Sequence, residues 1–130
     1  MYKAVTRGIR VTVEPRYVAE ESRPADGKYF FAYTVEITNM TTERVQLTGR
    51  YWRIVDGTGH AQEVRGPGVV GKQPVLGPGE TFTYTSGCPL GTPDGTMEGT
   101  YTMLAPSGEL FIADVPAFSL DSPHVKRVVH

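Results

Sequence analysis

Apolar and polar residues alternate with a period of two along most of the chain, which predicts strands with one buried face. Ile9, Val11 and Val13 alternate with Arg10, Thr12 and Glu14 until Pro15 ends the clean run. After an Asp26-Gly27 turn signal, Tyr29, Phe31, Tyr33, Val35 and Ile37 alternate strictly with Phe30, Ala32, Thr34, Glu36 and Thr38. Asn39-Met40-Thr41-Thr42 reads as a hairpin into a strand from Val45 to Val55. Val45, Leu47, Tyr51, Arg53 and Val55 are expected on one face of that strand, Trp52 and Ile54 on the other. A short strand is expected around Gln62-Glu63-Val64, then an irregular stretch from Gly66 to Gly79. Further strands are expected from Thr81 to Ser86, from Met97 to Leu104, and from Leu110 to Val115, the last continuing past Pro116 through Phe118 and Leu120. Val18 to Ser22 has room for one helical turn, and no segment supports a longer helix.

Short strands at intervals of roughly 8–12 residues, with turn chemistry between them, predict an all-β antiparallel β-sandwich. The 15 glycines and 10 prolines fall in bursts between the apolar runs, as tight turns require. No repeat or linker divides the 130 residues, so one domain is expected over residues 1–121, with a polar, fraying tail over 122–130. A net charge of −1 provides no long-range attraction to phosphate backbones or anionic lipid, so no nucleic-acid partner is expected. The single cysteine, Cys88, cannot form an internal disulfide, and the N-terminus shows no apolar leader. No apolar run approaches the roughly 20 residues of a membrane helix, so no membrane insertion is expected. Together these features predict a cytoplasmic protein.

Gly66-Pro67-Gly68-Val69-Val70-Gly71 matches G-x-G-x-x-G. A dinucleotide site would need a helix after it, aiming N-terminal amides at pyrophosphate. Lys72-Gln73-Pro74-Val75-Leu76-Gly77-Pro78-Gly79 cannot form that helix, because two prolines and two glycines interrupt it. The loop is therefore expected to cross between sheets. Val69 and Val70 would then pack or form an exposed apolar tip. A looser alternative is an anion nest from the amides of Gly68 to Gly71, flanked by Arg65 and Lys72.

The remaining candidates carry less. Cys88 lacks a local partner to stabilise a thiolate and reads as a structural thiol. His124 and His130 fall in the expected tail. Asp56, His60 and Glu63 cluster in sequence without ligand-pair spacing, and a solvated turn explains them. Glu80, Asp94, Glu98 and Asp114 show no pairing suited to acid/base catalysis. No catalytic residue, metal site or cofactor is expected. The aromatics, Trp52, Phe82, Tyr84 and Tyr101 among them, are expected mainly in the core.

Several long blocks occur in order: Gly49-Arg50-Tyr51-Trp52-Arg53-Ile54-Val55-Asp56, Val64 to Pro74, Leu76-Gly77-Pro78-Gly79-Glu80, Tyr84 to Leu90, and Gly95 to Tyr101. On these blocks the chain, from about Ile9 to Leu120, resembles the ApaG family of bacterial proteins. The resemblance implies a fibronectin type III-like or immunoglobulin-like sandwich. By name it also implies a link to cobalt tolerance and magnesium efflux, without a settled reaction. Related domains in F-box proteins and a polymerase delta-interacting protein imply a protein-interaction module.

The resulting expectation is a non-enzymatic module that binds a protein partner of unknown identity. Its surface is placed on Arg65, Gly66, Gly68, Val69, Val70, Gly71, Lys72 and Gln73, with Tyr51 and Arg53 beside them. The alternative is a binder of a nucleotide polyphosphate or divalent cation through the same loop. A weak homodimer through an unpaired edge strand is a further expectation.

Overall fold

The computed structural model describes residues 1–124 and is an antiparallel β-sandwich. Nine strands form it: β1 (Tyr2–Thr6), β2 (Ile9–Tyr17), β3 (Tyr29–Asn39), β4 (Val45–Asp56), β5 (Ala61–Pro67), β6 (Val75–Leu76), β7 (Thr81–Leu90), β8 (Asp94–Leu104) and β9 (Leu110–Asp121). One sheet has the order β1-β2-β3-β7, the other β5-β4-β8-β9, with β6 also paired to β4. Single 3-10 turns at Ala19–Glu21 and Pro24–Asp26 join β2 to β3, and Gly27 takes the left-handed conformation there.

The alternation of β3 holds in its central part, although Ala32 and Thr38 on the opposite face are buried as well. Phe31, Val35 and Ile37 are fully buried, whereas Glu36 faces solvent. Opposite them, Trp52 meets Tyr33, Tyr101 and Phe118 edge-on at centroid distances of 5.5, 6.2 and 6.0 Å. Such pairs add about 0.5–1.5 kcal/mol each beyond burial. A Cβ at Gly99 would stand 2.9 Å from the Trp52 ring and 2.2 Å from the Tyr51 carbonyl, so the central indole requires glycine there.

Three expectations need correction. The turn at Asn39-Met40-Thr41-Thr42 is not a hairpin, because β3 and β4 belong to different sheets. It is a crossover built on the buried Asn39, whose Nδ2 donates to the Leu76 and Glu43 carbonyls while its Oδ1 accepts from the Thr41 amide. The facing of β4 also differs. A bulge between Leu47 and Gly49 shifts the register against β8 and flips the parity of everything after it. Val45 and Leu47 face the core, but past the bulge Trp52 is the buried residue and Tyr51 and Arg53 turn to the outer surface. Third, β1 has no counterpart in the sequence reading. Its residues are mostly exposed, so it lacks the apolar period that marks a strand.

Of residues 122–130, expected as a loose tail, Ser122 is buried and its amide donates to the Pro93 carbonyl at 3.0 Å. The His124 ring lies edge-on to Tyr17. Residues 125–130, with His130, lie outside the described residues. No described helix is long and apolar enough to cross a membrane.

Candidate functional site: a cleft on the open side of the sandwich

On one side the two sheets are stitched together. The Arg7 guanidinium pairs with Glu109 at 2.8 Å and lies over the Phe111 ring, the Asp114 amide donates to Thr6 Oγ1, and the Ser119 amide donates to Tyr2 Oη. On the other side lie the edges of β5 and β7, and no hydrogen bond joins them among the described residues. Between them the glycine-rich loop covers a cleft of about 390 Å³. Its apolar wall includes Trp52, Ile54, Val64 and Met97, and its polar wall includes Arg50, Tyr33, Tyr84, Ser86 and Cys88.

The bulge in β4 delivers Arg50 to this cleft by placing even-numbered residues inward. Arg50 Nη1 donates to the carbonyls of Pro67 and Gly68 at 2.9 and 3.0 Å, clamping the start of the loop. Its guanidinium rests where a Cβ of Gly66 would be, only 2.9 Å away. Among the described residues no carboxylate pairs with it. Its charge instead faces phenols: it draws down the pKa values of Tyr33, Tyr84 and Tyr101, against a larger upward push from burial. Tyr84 and Tyr101 share a hydrogen bond between their hydroxyls. Burial likewise pushes the Cys88 thiol up to about 11.

Each glycine of the G-x-G-x-x-G run has its own structural reason. Gly66 leaves room for Arg50, and a Cβ on Gly68, at φ 59°, would collide with the Lys72 carbonyl at 2.1 Å. Gly71, at φ 77°, completes a two-residue turn with Val70, itself at φ 45°. Positive φ at both central residues is the requirement of a type I′ turn. The Val69 amide donates to the Lys72 carbonyl, the Lys72 amide to the Val69 carbonyl, and the Gly68 amide to the Thr48 carbonyl. Of the four amides from Gly68 to Gly71 on which the expected anion nest relies, those of Gly68 and Val69 are therefore spent within the fold.

The expected surface is also divided. Val69 is 1% exposed and belongs to the core, so the pair does not form an apolar tip; Val70 alone is displayed, at 52%. Arg65 faces outward with its guanidinium 4.3 Å above the Tyr51 ring, and Tyr51 Oη donates to Glu63. Arg53 pairs with Glu98 on that outer face. Lys72 is exposed, and Gln73 Nε2 donates to the Thr48 carbonyl, tying the loop to the bulge. Asp56 Oδ1 accepts from Thr58 and from the His60 amide, which makes this acid a turn cap. Among the described residues no three His, Cys, Asp or Glu side chains are grouped to hold a metal ion. Arg50, Tyr33 and Ser86 were not anticipated. A half-apolar strand followed by a glycine was the only hint of the bulge that turns Arg50 inward.

Fold and cleft together define a fibronectin type III-like β-sandwich with a lateral opening under a tight glycine loop. The ApaG domain family matches residues 19–105, and the chain belongs to that family. A Methylobacterium protein from strain 4-46, named Protein ApaG, is 72% identical over the full length of both chains. A Bordetella pertussis protein provisionally called ApaA superposes with a TM-score of 0.87 at 52% identity, covering 90% of this chain and 95% of that one. An Archaeoglobus fulgidus protein shares the fold alone, at a TM-score of 0.54 and 8% identity over 88% of this chain and 98% of that one.

Proposed function

We propose that this ApaG-family chain is a non-enzymatic binding module that engages a protein partner in the cytoplasm at the rim of the open side. The observation that carries the reading is Val70. A β-branched residue held in the left-handed region is strained, and strain of this kind persists where the surrounding structure over-determines it. Here it holds an apolar side chain 52% exposed at the cleft mouth. The non-enzymatic part rests on protonation. General acid/base work needs a group that titrates near the working pH. The cleft's acids are phenols and a thiol, all pushed further from neutrality by burial. An influence on cobalt or magnesium traits would then run through the partner.

The test compares immobilised parent protein with Val70→Asp and Val5→Asp. Val5 is equally exposed, at 52%, but lies on β1 at the stitched side. A partner retained by the parent and by Val5→Asp, but lost with Val70→Asp, is expected. The same partner recovered with Val70→Asp would sink the reading. Self-association through the β7 edge is a separate matter, and Pro89 within β7 limits strand addition there. Light scattering over a concentration series decides it.

A further inference from the structure

The cleft contains an unbalanced charge. A half-buried guanidinium prefers an anion, and the two arginines on the outer face nearby already have partners: Arg53 with Glu98, Arg65 with the Tyr51 ring. Arg50 alone lines the cavity, with only Nη1 committed to the loop carbonyls. Beside it stand the hydroxyls of Ser86 and of Tyr84, the latter shared with Tyr101. Facing them are Trp52, Ile54 and Val64. We propose that this cleft binds a small organic monocarboxylate, with the carboxylate on Arg50 and the neighbouring hydroxyls and a compact apolar body against Trp52, Ile54 and Val64.

Three physical points set the ligand class. One lining cation balances one negative charge, whereas a polyphosphate would bring several into a site with no second lining cation. A planar carboxylate matches the fork of an arginine better than the point charge of a halide does. The volume of about 390 Å³ lies at the lower end of the roughly 300–1,000 Å³ range of small-molecule sites. A docked peptide strand fits less well, because Pro89 removes one donor from the β7 edge that such a strand would use. The proposal stands on the cleft and not on the protein-partner reading, so either can fail without the other.

Trp52 is the only tryptophan of the chain and lines the cleft, so its fluorescence reports on this site. The parent protein is titrated with 4-methylpentanoate and 3-phenylpropanoate, and then with the corresponding neutral amides. Saturable change with at least one acid is expected, with the amides weaker by about tenfold or more, the scale of a lost charge-assisted hydrogen bond. Arg50→Gln should lose affinity by a similar factor, and Arg65→Gln on the outer face should lose none. Because Arg50 also clamps the loop, the urea midpoint of Arg50→Gln is measured alongside; the acid–amide comparison on the parent needs no variant. Equal binding of acid and amide, or no saturable change with either acid, overturns the proposal. So does binding confined to peptides with a free C-terminal carboxylate, which would assign the cleft to a partner's chain end.

Discussion

The two long sides of the sandwich solve the same problem in opposite ways. Where β1 and β2 meet β9, the Arg7–Glu109 pair and side-chain bonds from Thr6 and Tyr2 lace one sheet to the other. Phe118 is 2% exposed at the inner end of that seam, against Tyr2, Tyr33 and Trp52. Where β5 and β7 face each other, a loop substitutes for the lacing, and Ile54 and Val64 remain half-buried beside a cavity. The difference teaches where stability and recognition can be separated. A residue in the laced seam contributes to packing, whereas a residue beside the cleft can change with less consequence for the fold.

The sharpest break of that comparison is a pair of truncations. Phe118→Ala should destabilise by about 3–5 kcal/mol, as truncation of a fully packed aromatic does, and Ile54→Ala by less than about 2 kcal/mol, because part of that side chain already meets solvent. Urea unfolding followed by Trp52 fluorescence measures both. Equal losses would mean that the open side is packed as tightly as the laced one.

A smaller effect is expected at the loop tip. A left-handed conformation costs an L-residue roughly 1–2 kcal/mol, and glycine is free of that cost but loses more backbone entropy. Val70→Gly should therefore be neutral or stabilising by up to about 1 kcal/mol in thermal unfolding, while removing the exposed side chain that the partner reading requires. Clear destabilisation would show that Val70 packs into the fold.

The smallest effect is chemical. The Cys88 thiol, ordinarily ionising near 9, is pushed up to about 11 by burial, so the folded state favours its neutral form. Its stabilising contribution is fully present below pH 9 and is lost as pH rises from 9 through 11. Cys88→Ala should therefore flatten the fall in the urea midpoint across that interval, and iodoacetamide at pH 8 should label the folded parent far more slowly than the unfolded chain. Rapid labelling of folded protein would place the thiol in an open, activated setting.

The alternation in β3, the glycine and proline punctuation, and the absence of any long 3.6-residue period were sufficient for the sandwich. Each is a local property, and period-two burial follows directly from strand geometry. Strand β7 was read only to Ser86 because Gly87 and Pro89 are poor strand formers in isolation. In the fold, Gly87 is wanted because the Phe30 ring lies where its Cβ would be, at 2.3 Å. No helix follows the glycine loop, as its prolines and glycines implied, yet the division of Val69 from Val70 could not be read, since adjacent valines carry identical local signals.

What the sequence alone determined is the class of architecture and the family. Tertiary structure decided which residues meet across the sheets, above all through one local irregularity in β4. The bulge after Leu47 shifts the register of β4 against β8, and with the shift Arg50 turns inward and Tyr51 and Arg53 outward. Side-chain facing in a strand reverses with every single-residue slip, so no local pattern can state which residues meet across the sheets until the pairing partner is known.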